Sequence, residues 1–224
     1  MIAKWIASEC KASFFNVRAS TLFSKYLGES EKLVRAIFEE AEENAPSVIF
    51  LDEVDGILSA RQGNDHESTR RVKNELLISM DGVTTSTRHQ VTVIAASNMP
   101  WEIDEAALRR FEHKLYVPLP DAQTRLALIK GELQRFAEEC GKPACLHSDS
   151  IENVVQSTSG YSCSDIHQVL RMAALVPTRE AISAGSPEFL RGLDTSDIEF
   201  ALSRSTAKLV DTDKYSKWQS SFKN

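Results

Sequence analysis

Cysteine is scarce and scattered. Cys10, Cys140, Cys145 and Cys163 include no CxxC pair and no zinc-like spacing with the five histidines. This points away from a metal-stapled or disulfide-dense scaffold and toward free thiols in a reducing compartment. A basic surplus is lacking too. Lys and Arg number 26 against 32 Asp and Glu, for a formal net charge of -6, the wrong sign for a general nucleic-acid binder. No stretch approaches the ~20 apolar residues that span a bilayer, so direct membrane insertion is not expected. Met1-Ile2-Ala3-Lys4-Trp5-Ile6-Ala7 lacks the charged lead and long apolar core of a secretory signal, and reads as a short helix. No internal repeat and no low-complexity tract occurs. What is present is a globular balance, 42% hydrophobic and 26% charged over 224 residues, enough for one ordinary domain or a domain with a small satellite.

The first half alternates apolar runs with helical patterns. Strands are expected at Phe14-Phe15-Asn16-Val17, Val48-Ile49-Phe50-Leu51, Val91-Thr92-Val93-Ile94-Ala95-Ala96 and Leu115-Tyr116-Val117. Helical stripes run through Leu33, Val34, Ile37, Phe38 and Ala41, and through Val72, Leu76, Leu77 and Met80, the latter closed by Asp81-Gly82. Continuous apolar strands alternating with helices give an α/β, doubly wound, mostly parallel sheet. After Pro118-Leu119-Pro120 the pattern becomes all-helical, with stripes at Leu126 to Phe136, Ile151 to Val155 and Ile166 to Ala173. A capping box is read at Ser196-Asp197-Ile198-Glu199, and Tyr215, Trp218 and Phe222 share one face of a last helix. Loops are expected at 137–147 and 183–194. The expected division is 1–120, 121–210 and 211–224.

Ligands of open α/β sheets bind beyond the carboxyl ends of the strands. Asp52 and Glu53 end the most apolar run of the chain. Two adjacent acids there can divide the labour of phosphoryl transfer, one holding Mg²⁺ through waters and the next polarising an attacking water. Acidic residues that merely cap a strand give the same pattern. Asn98 ends the neighbouring run and could reach the same water, or it forms a turn before Pro100. Arg109-Arg110 suits phosphate through its planar forks, or is a solvated helix end. A three-acid metal site for nucleic-acid cleavage at Asp52, Glu53 and Asp55 is a weaker alternative, because Asp55-Gly56 reads as the start of a turn.

The ordered runs F-F-N-V, S-K-Y-L-G-E-S-E-K-L-V-R, F-L-D-E-V-D, R-R-V-K-N-E-L-L-I-S-M-D-G, A-A-S-N-M-P-W-E-I-D, L-R-R-F-E-H-K-L-Y-V-P-L-P and G-Y-S-C-S-D-I together resemble AAA ATPases. They are similar to the branch that contains katanin, spastin and fidgetin, with the likeness strongest to katanin catalytic subunits of the katanin-like 2 type. The resemblance covers nearly the whole chain. It implies the AAA+ sheet at 1–120, a small helical lid at 121–210 and a C-terminal helix at 211–224 that helps assembly, although its aromatic stripe reads equally well as structural core. It implies ATP and Mg²⁺ as cofactors, with Asp52 on Mg²⁺ through water and Glu53 as the base. Asn98 is then the sensor, and Arg109 and Arg110 are fingers acting on the neighbouring copy in a hexamer. Gly160, Cys163 and Ser164 fall near the nucleotide. Lys25, Tyr26 and Leu27 match the first pore loop and Arg61 to Arg71, with His66, the second. The implied partners are microtubules through acidic tubulin tails, further copies of the chain and a katanin-type regulatory subunit. The implied place is cytoplasmic, on the cytoskeleton.

The likeness also has departures. Cys163-Ser164 stands where the family has Gly-Ala, Leu27 where many katanins have Arg, and Ala107-Leu108 shortens the run before the arginines. No G-x-x-x-x-G-K-[ST] run occurs in these 224 residues, whereas in the family it directly precedes the Met-Ile-Ala-Lys helix, after the first strand. A shortened gene model or fragment is the expectation. The alternative is a chain without ATPase activity that assembles with active relatives.

Overall fold

The computed structural model of the chain describes residues 2–22, 29–60, 67–85, 90–142, 148–185, 190–205 and 212–221. The chain divides into two compact units, Met1–Leu115 with Trp218–Asn224, and Tyr116–Lys217.

In the first unit the order is α1 (Ile2–Glu9), β1 (Ser13–Arg18), α2 (Ala19–Leu22), α3 (Glu29–Glu43), β2 (Ser47–Asp52), α4 (Asp55–Leu58), α5 (Glu67–Thr85), β3 (Val91–Ala95) and α6 (Glu105–Leu108). A single 3₁₀ turn, Pro100–Glu102, precedes α6. The strands are parallel in the order β1-β2-β3. β2 lies in the middle and buries Val48, Ile49 and Leu51, which is why its run is apolar without alternation. Val34, Phe38 and Ala41 of α3 and Val72, Leu76 and Met80 of α5 join the same core.

Two expectations fail here for physical reasons. α5 does not close at Asp81-Gly82 but continues to Thr85. Val83, buried to 7% exposure, extends the apolar stripe by one step, and burying a valine outweighs the ~1 kcal/mol cost of a helical glycine. The strand expected at Leu115-Tyr116-Val117 is not formed, and residues 113–121 carry neither helix nor strand. Pro118 and Pro120 offer no backbone N–H, and Leu115 and Val117 are 83% and 66% exposed. The segment has neither a ladder nor a buried face.

The second unit consists of α7 (Ala122–Cys140), α8 (Ser148–Ser157), α9 (Cys163–Ser183), α10 (Thr195–Ser203) and α11 (Thr212–Ser220) as far as Lys217, the rest of α11 being counted with the first unit. Its core gathers Ile129 and Leu133 of α7, Val154 of α8, Ile166 and Leu170 of α9 and Ile198 of α10. Asp121 caps α7 by accepting from the Thr124 N–H at 2.8 Å. The loop expected from 137 starts later, because α7 runs to Cys140 and ends on Gly141, whose φ of 63° suits a residue without Cβ. The capping box expected at Ser196 lies two residues earlier. Asp194 accepts from the Asp197 N–H, and the Asp197 side chain accepts from the Asp194 N–H. On α11, Tyr215 stacks on Tyr116 at 5.6 Å between ring centroids. Trp218 is half-buried, and Phe222 lies outside the described residues. Among the described residues no helix is long and apolar enough to cross a membrane.

Candidate active site

Three parallel strands bring their carboxyl ends to one edge, and β2 delivers Asp52 there. The chain then turns sharply. Glu53 has φ 56°, a left-handed conformation that costs a residue with Cβ roughly 1–2 kcal/mol. Its N–H donates to Oδ1 of Asp52 at 3.1 Å, which fixes that carboxylate, while the Glu53 side chain is exposed.

The tip of β3 is sewn to this turn. The Ala96 N–H donates to the Leu51 carbonyl at 2.8 Å, and the Val54 N–H to the Ala96 carbonyl at 3.1 Å. Ser97 Oγ donates to Asp55 Oδ1 at 2.6 Å and accepts from the Met99 N–H at 3.0 Å. Asn98 therefore sits exposed at the same sheet edge as Asp52 and Glu53. Sequence reasoning overlooked Ser97. Its signal was position alone, one residue before an Asn at a strand end. Asp55 opens α4, and its Oδ1 is engaged by Ser97. Among the described residues no group of three or more His, Cys, Asp or Glu side chains is placed to hold a metal.

That donor set bears on Mg²⁺. One carboxylate at the sheet edge, with one oxygen already fixed by a backbone N–H, suits a hard cation that keeps its waters and brings phosphate oxygens as further ligands. The residues present fit Mg²⁺ carried with a nucleotide.

The arginines follow α6, whose N-cap Asp104 accepts from the Ala106 N–H at 2.9 Å. The two are held differently. Arg110 makes a bidentate pair with Asp81, Nε to Oδ1 at 2.9 Å and Nη2 to Oδ2 at 2.7 Å, and Nη1 donates to the Ala106 carbonyl at 2.8 Å. Arg109 meets Glu105 at 2.6 Å one turn back, with its side chain 75% exposed. An exposed pair at that spacing is worth only ~0.3–0.5 kcal/mol, so Arg109 can leave it. In the sequence Asp81 has only the look of a helix closer, and nothing in its local pattern reveals a partner 29 residues away.

In the second unit, Gly160 has φ 80°, and Ser162 opens α9 in a reciprocal box with Asp165. Tyr161 is buried and its hydroxyl donates to the Ser205 carbonyl at 3.2 Å. Cys163 and Ser164 are exposed in the first turn of α9, where helix N–H groups and the helix dipole favour anions. The strongest charge cluster of this unit is elsewhere. Arg191 bonds Asp197 through two nitrogens at 2.6 and 2.7 Å, Glu180 at 2.8 Å and Asp194 at 3.3 Å. Asp197, and next Glu180, hold the Arg191 guanidinium protonated well above its ordinary range. The Ser196 hydroxyl, ahead of the Asp197 N–H, holds Asp194 below the ordinary carboxylate range.

Lys25, Tyr26, Leu27, Arg61 and His66 lie outside the described residues. Cys10, Cys140 and Cys163 are exposed free thiols, and Cys145 is not among the described residues.

Comparison with known proteins gives one consistent result. The model of the ATPase family associated with various cellular activities (AAA) matches residues 1–119. The chain is 43% identical to the p60 ATPase-containing katanin protein A-like 1 of Rattus norvegicus, over 99% of this chain and 48% of that protein. It is likewise 43% identical to spastin of Anopheles gambiae, over 99% of this chain and 27% of that protein. The chain thus spans about half the length of the katanin relatives it matches, and less of spastin. Among solved structures, the FIGL-1 AAA domain superposes with a TM-score of 0.86 at 38% identity, covering 100% of this chain and 73% of that one. The same domain in complex with ADP gives 0.85 at 37%, covering 99% and 73%.

Proposed function

Because the chain belongs to the AAA family of ATPases, in the branch of katanin, spastin and fidgetin, we propose that it is the hydrolytic part of a microtubule-severing ATPase. The observation that carries this reading is the shared edge of Asp52, Glu53 and Asn98, fixed by the hydrogen bonds between the tips of β2 and β3.

Asp52 would hold Mg²⁺ through its waters, and the ion when bound supplies charge neutralisation at the phosphate oxygens. Glu53, held outward by its left-handed turn, takes a proton from the attacking water as the water oxygen bonds to the terminal phosphorus and the bond from that phosphorus to the bridging oxygen breaks, with ADP as the leaving group. Asn98 orients that water. Arg109 reaches the site of an adjacent copy in a ring and stabilises the charge that gathers on the transferring phosphoryl group. Arg110 has less reach, since Asp81 already uses its fork. Gly160, Cys163 and Ser164 belong to the same reading as nucleotide-binding residues. Lys25, Tyr26 and Leu27, with Arg61 and His66, grip an acidic tubulin tail, the lysine and arginine by charge and the tyrosine by stacking. A cytoskeletal location in the cytoplasm and a katanin-type regulatory partner belong to the same reading.

The test is ATP turnover by the full-length protein that carries these residues, with and without microtubules. Turnover is expected to rise with intact microtubules and to lose that rise when the acidic tails are removed by protease. Turnover at the solvent background under both conditions supports instead a chain without hydrolysis that assembles with active relatives. Turnover indifferent to the polymer leaves an ATPase with another substrate.

A further inference from the structure

Between α5 and the turn that carries the arginines lies an ammonium group that the proposed chemistry does not use. Lys73 keeps only 13% of its side chain exposed. Its Nζ donates to the Asp104 carboxylate at 2.7 Å and to the Ser59 carbonyl at 2.8 Å. Asp104 is a node. Its second oxygen caps α6, its carbonyl accepts from Ala107 and Leu108 at 3.0 Å each, and its own N–H donates to the Leu58 carbonyl at 2.7 Å. The Ala60 N–H donates to the Glu102 carbonyl at 2.7 Å, beside an antiparallel bridge between Ser59 and Ile103.

We propose that Lys73 is a positioning residue for Arg109, setting the pose of α6 through Asp104. α6 has four residues, too few for a helix to hold itself. Its direction therefore depends on what grips its ends. Lys73 grips the N-cap, and Asp81, eight residues on along the same helix α5, grips Arg110 just past the C-cap. Arg109 is the C-cap residue between these two holds, and its own Glu105 contact is too weak to aim it. A semi-buried ammonium is a costly choice for a purely structural staple, because both it and its acceptors lose water. Here it sets the base of a charged side chain that remains able to move. A displacement of about 1 Å in a catalytic group is enough for roughly 10²-fold in rate.

The proposal rests on the reading of Arg109 as a finger, and the test separates the two. In the full-length protein, Lys73→Met keeps the length of the stem and removes the charge. Asp104→Asn keeps the cap acceptor and removes the pairing. Each is expected to lower kcat for ATP about 10- to 100-fold while KM for ATP moves less than about 2-fold. Lys73→Arg restores most of the rate. Added to Arg109→Ala, either substitution lowers the rate no further, since the group it positions is gone. Unchanged kcat in Lys73→Met and Asp104→Asn, or losses that multiply with that of Arg109→Ala, overturn the proposal and leave the finger reading intact. Unchanged kcat in Arg109→Ala itself overturns the finger reading and this proposal with it. If Lys73→Met does not fold, the Asp104→Asn cycle decides the matter alone.

Discussion

Arg191 in the helical unit meets Glu180, Asp194 and Asp197 at once, whereas among the described residues Asp52 and Glu53 at the tip of β2 share one bond, from the Glu53 N–H to the Asp52 carboxylate. Both clusters are dense in charge, and their use is opposite. Asp197 is 2% exposed, and a buried carboxylate persists only when its charge is met by donors. That network therefore holds the fold and has little left for a ligand. The strand-tip acids are placed by backbone geometry instead, a left-handed φ and the ladder of β2 and β3, so their side chains stay available. A charge that the fold has already neutralised holds structure, and a charge that the backbone positions without neutralising is ready for chemistry. Arg110 and Arg109 repeat the contrast within two residues.

If that contrast is right, substitutions on the two sides separate rate from stability. Apart from the strand-tip acids, the largest effect among these charged groups is expected for Arg109→Ala, about 10³-fold in assembled ATP turnover, with thermal unfolding unchanged because its pair is exposed. A shift in melting temperature without a loss of rate would reverse the assignment. Next comes Asp197→Asn, which leaves Arg191 short of its main partner. We expect about 2 kcal/mol of lost stability in urea titrations, below the span for fully buried pairs because Arg191 retains 36% of its side chain in solvent. The contrast is sharpened if nucleotide binding by this variant is normal below its transition. Ser162→Ala, which removes half of the box that opens α9, should cost ~1 kcal/mol in the same titration.

The smallest effect is on pH. Asp194 lies below the ordinary carboxylate range through the Ser196 hydroxyl, and Asp121 through the Thr124 N–H. Groups whose folded pKa is depressed contribute stability that is present above the unfolded pKa and lost as pH falls through the folded one. Melting temperature should thus hold from neutral pH down to about pH 4 and fall below it, and Ser196→Ala should weaken the Asp194 part of that fall. A profile identical to wild type would remove the Asp194 hydroxyl bond from the account.

Elements with strong periodicity were legible in the sequence. β2 reads directly from Val48 to Leu51, since a strand buried on both faces has to be continuously apolar. The edge position of Asp52, Glu53 and Asn98 follows from where two such runs stop. Misreadings arose where local pattern and tertiary context disagree. Leu115-Tyr116-Val117 has the composition of a strand, but composition carries no information about a pairing neighbour. Asp81-Gly82 has the look of a helix stop, and Val83 overrides it by burial. Ser196 has the local pattern of a cap, but Asp194, held by Arg191, fills that role. The ties that most affect the site, Lys73 to Asp104 and Asp81 to Arg110, span 31 and 29 residues. Each member is an ordinary charged residue within its own stretch of chain, so no local signal exists to find.

The central claim is that Asp52 and Glu53 do different work at one phosphate. It is tested most directly by titrating Mg²⁺ against ATP turnover in the full-length protein, with nucleotide binding measured on the same samples. Asp52→Asn should raise the Mg²⁺ needed for half-maximal turnover. Glu53→Gln should leave that requirement and nucleotide binding in place while turnover falls about 10²- to 10⁴-fold. Wild-type turnover and an unmoved Mg²⁺ requirement in both variants would contradict the account.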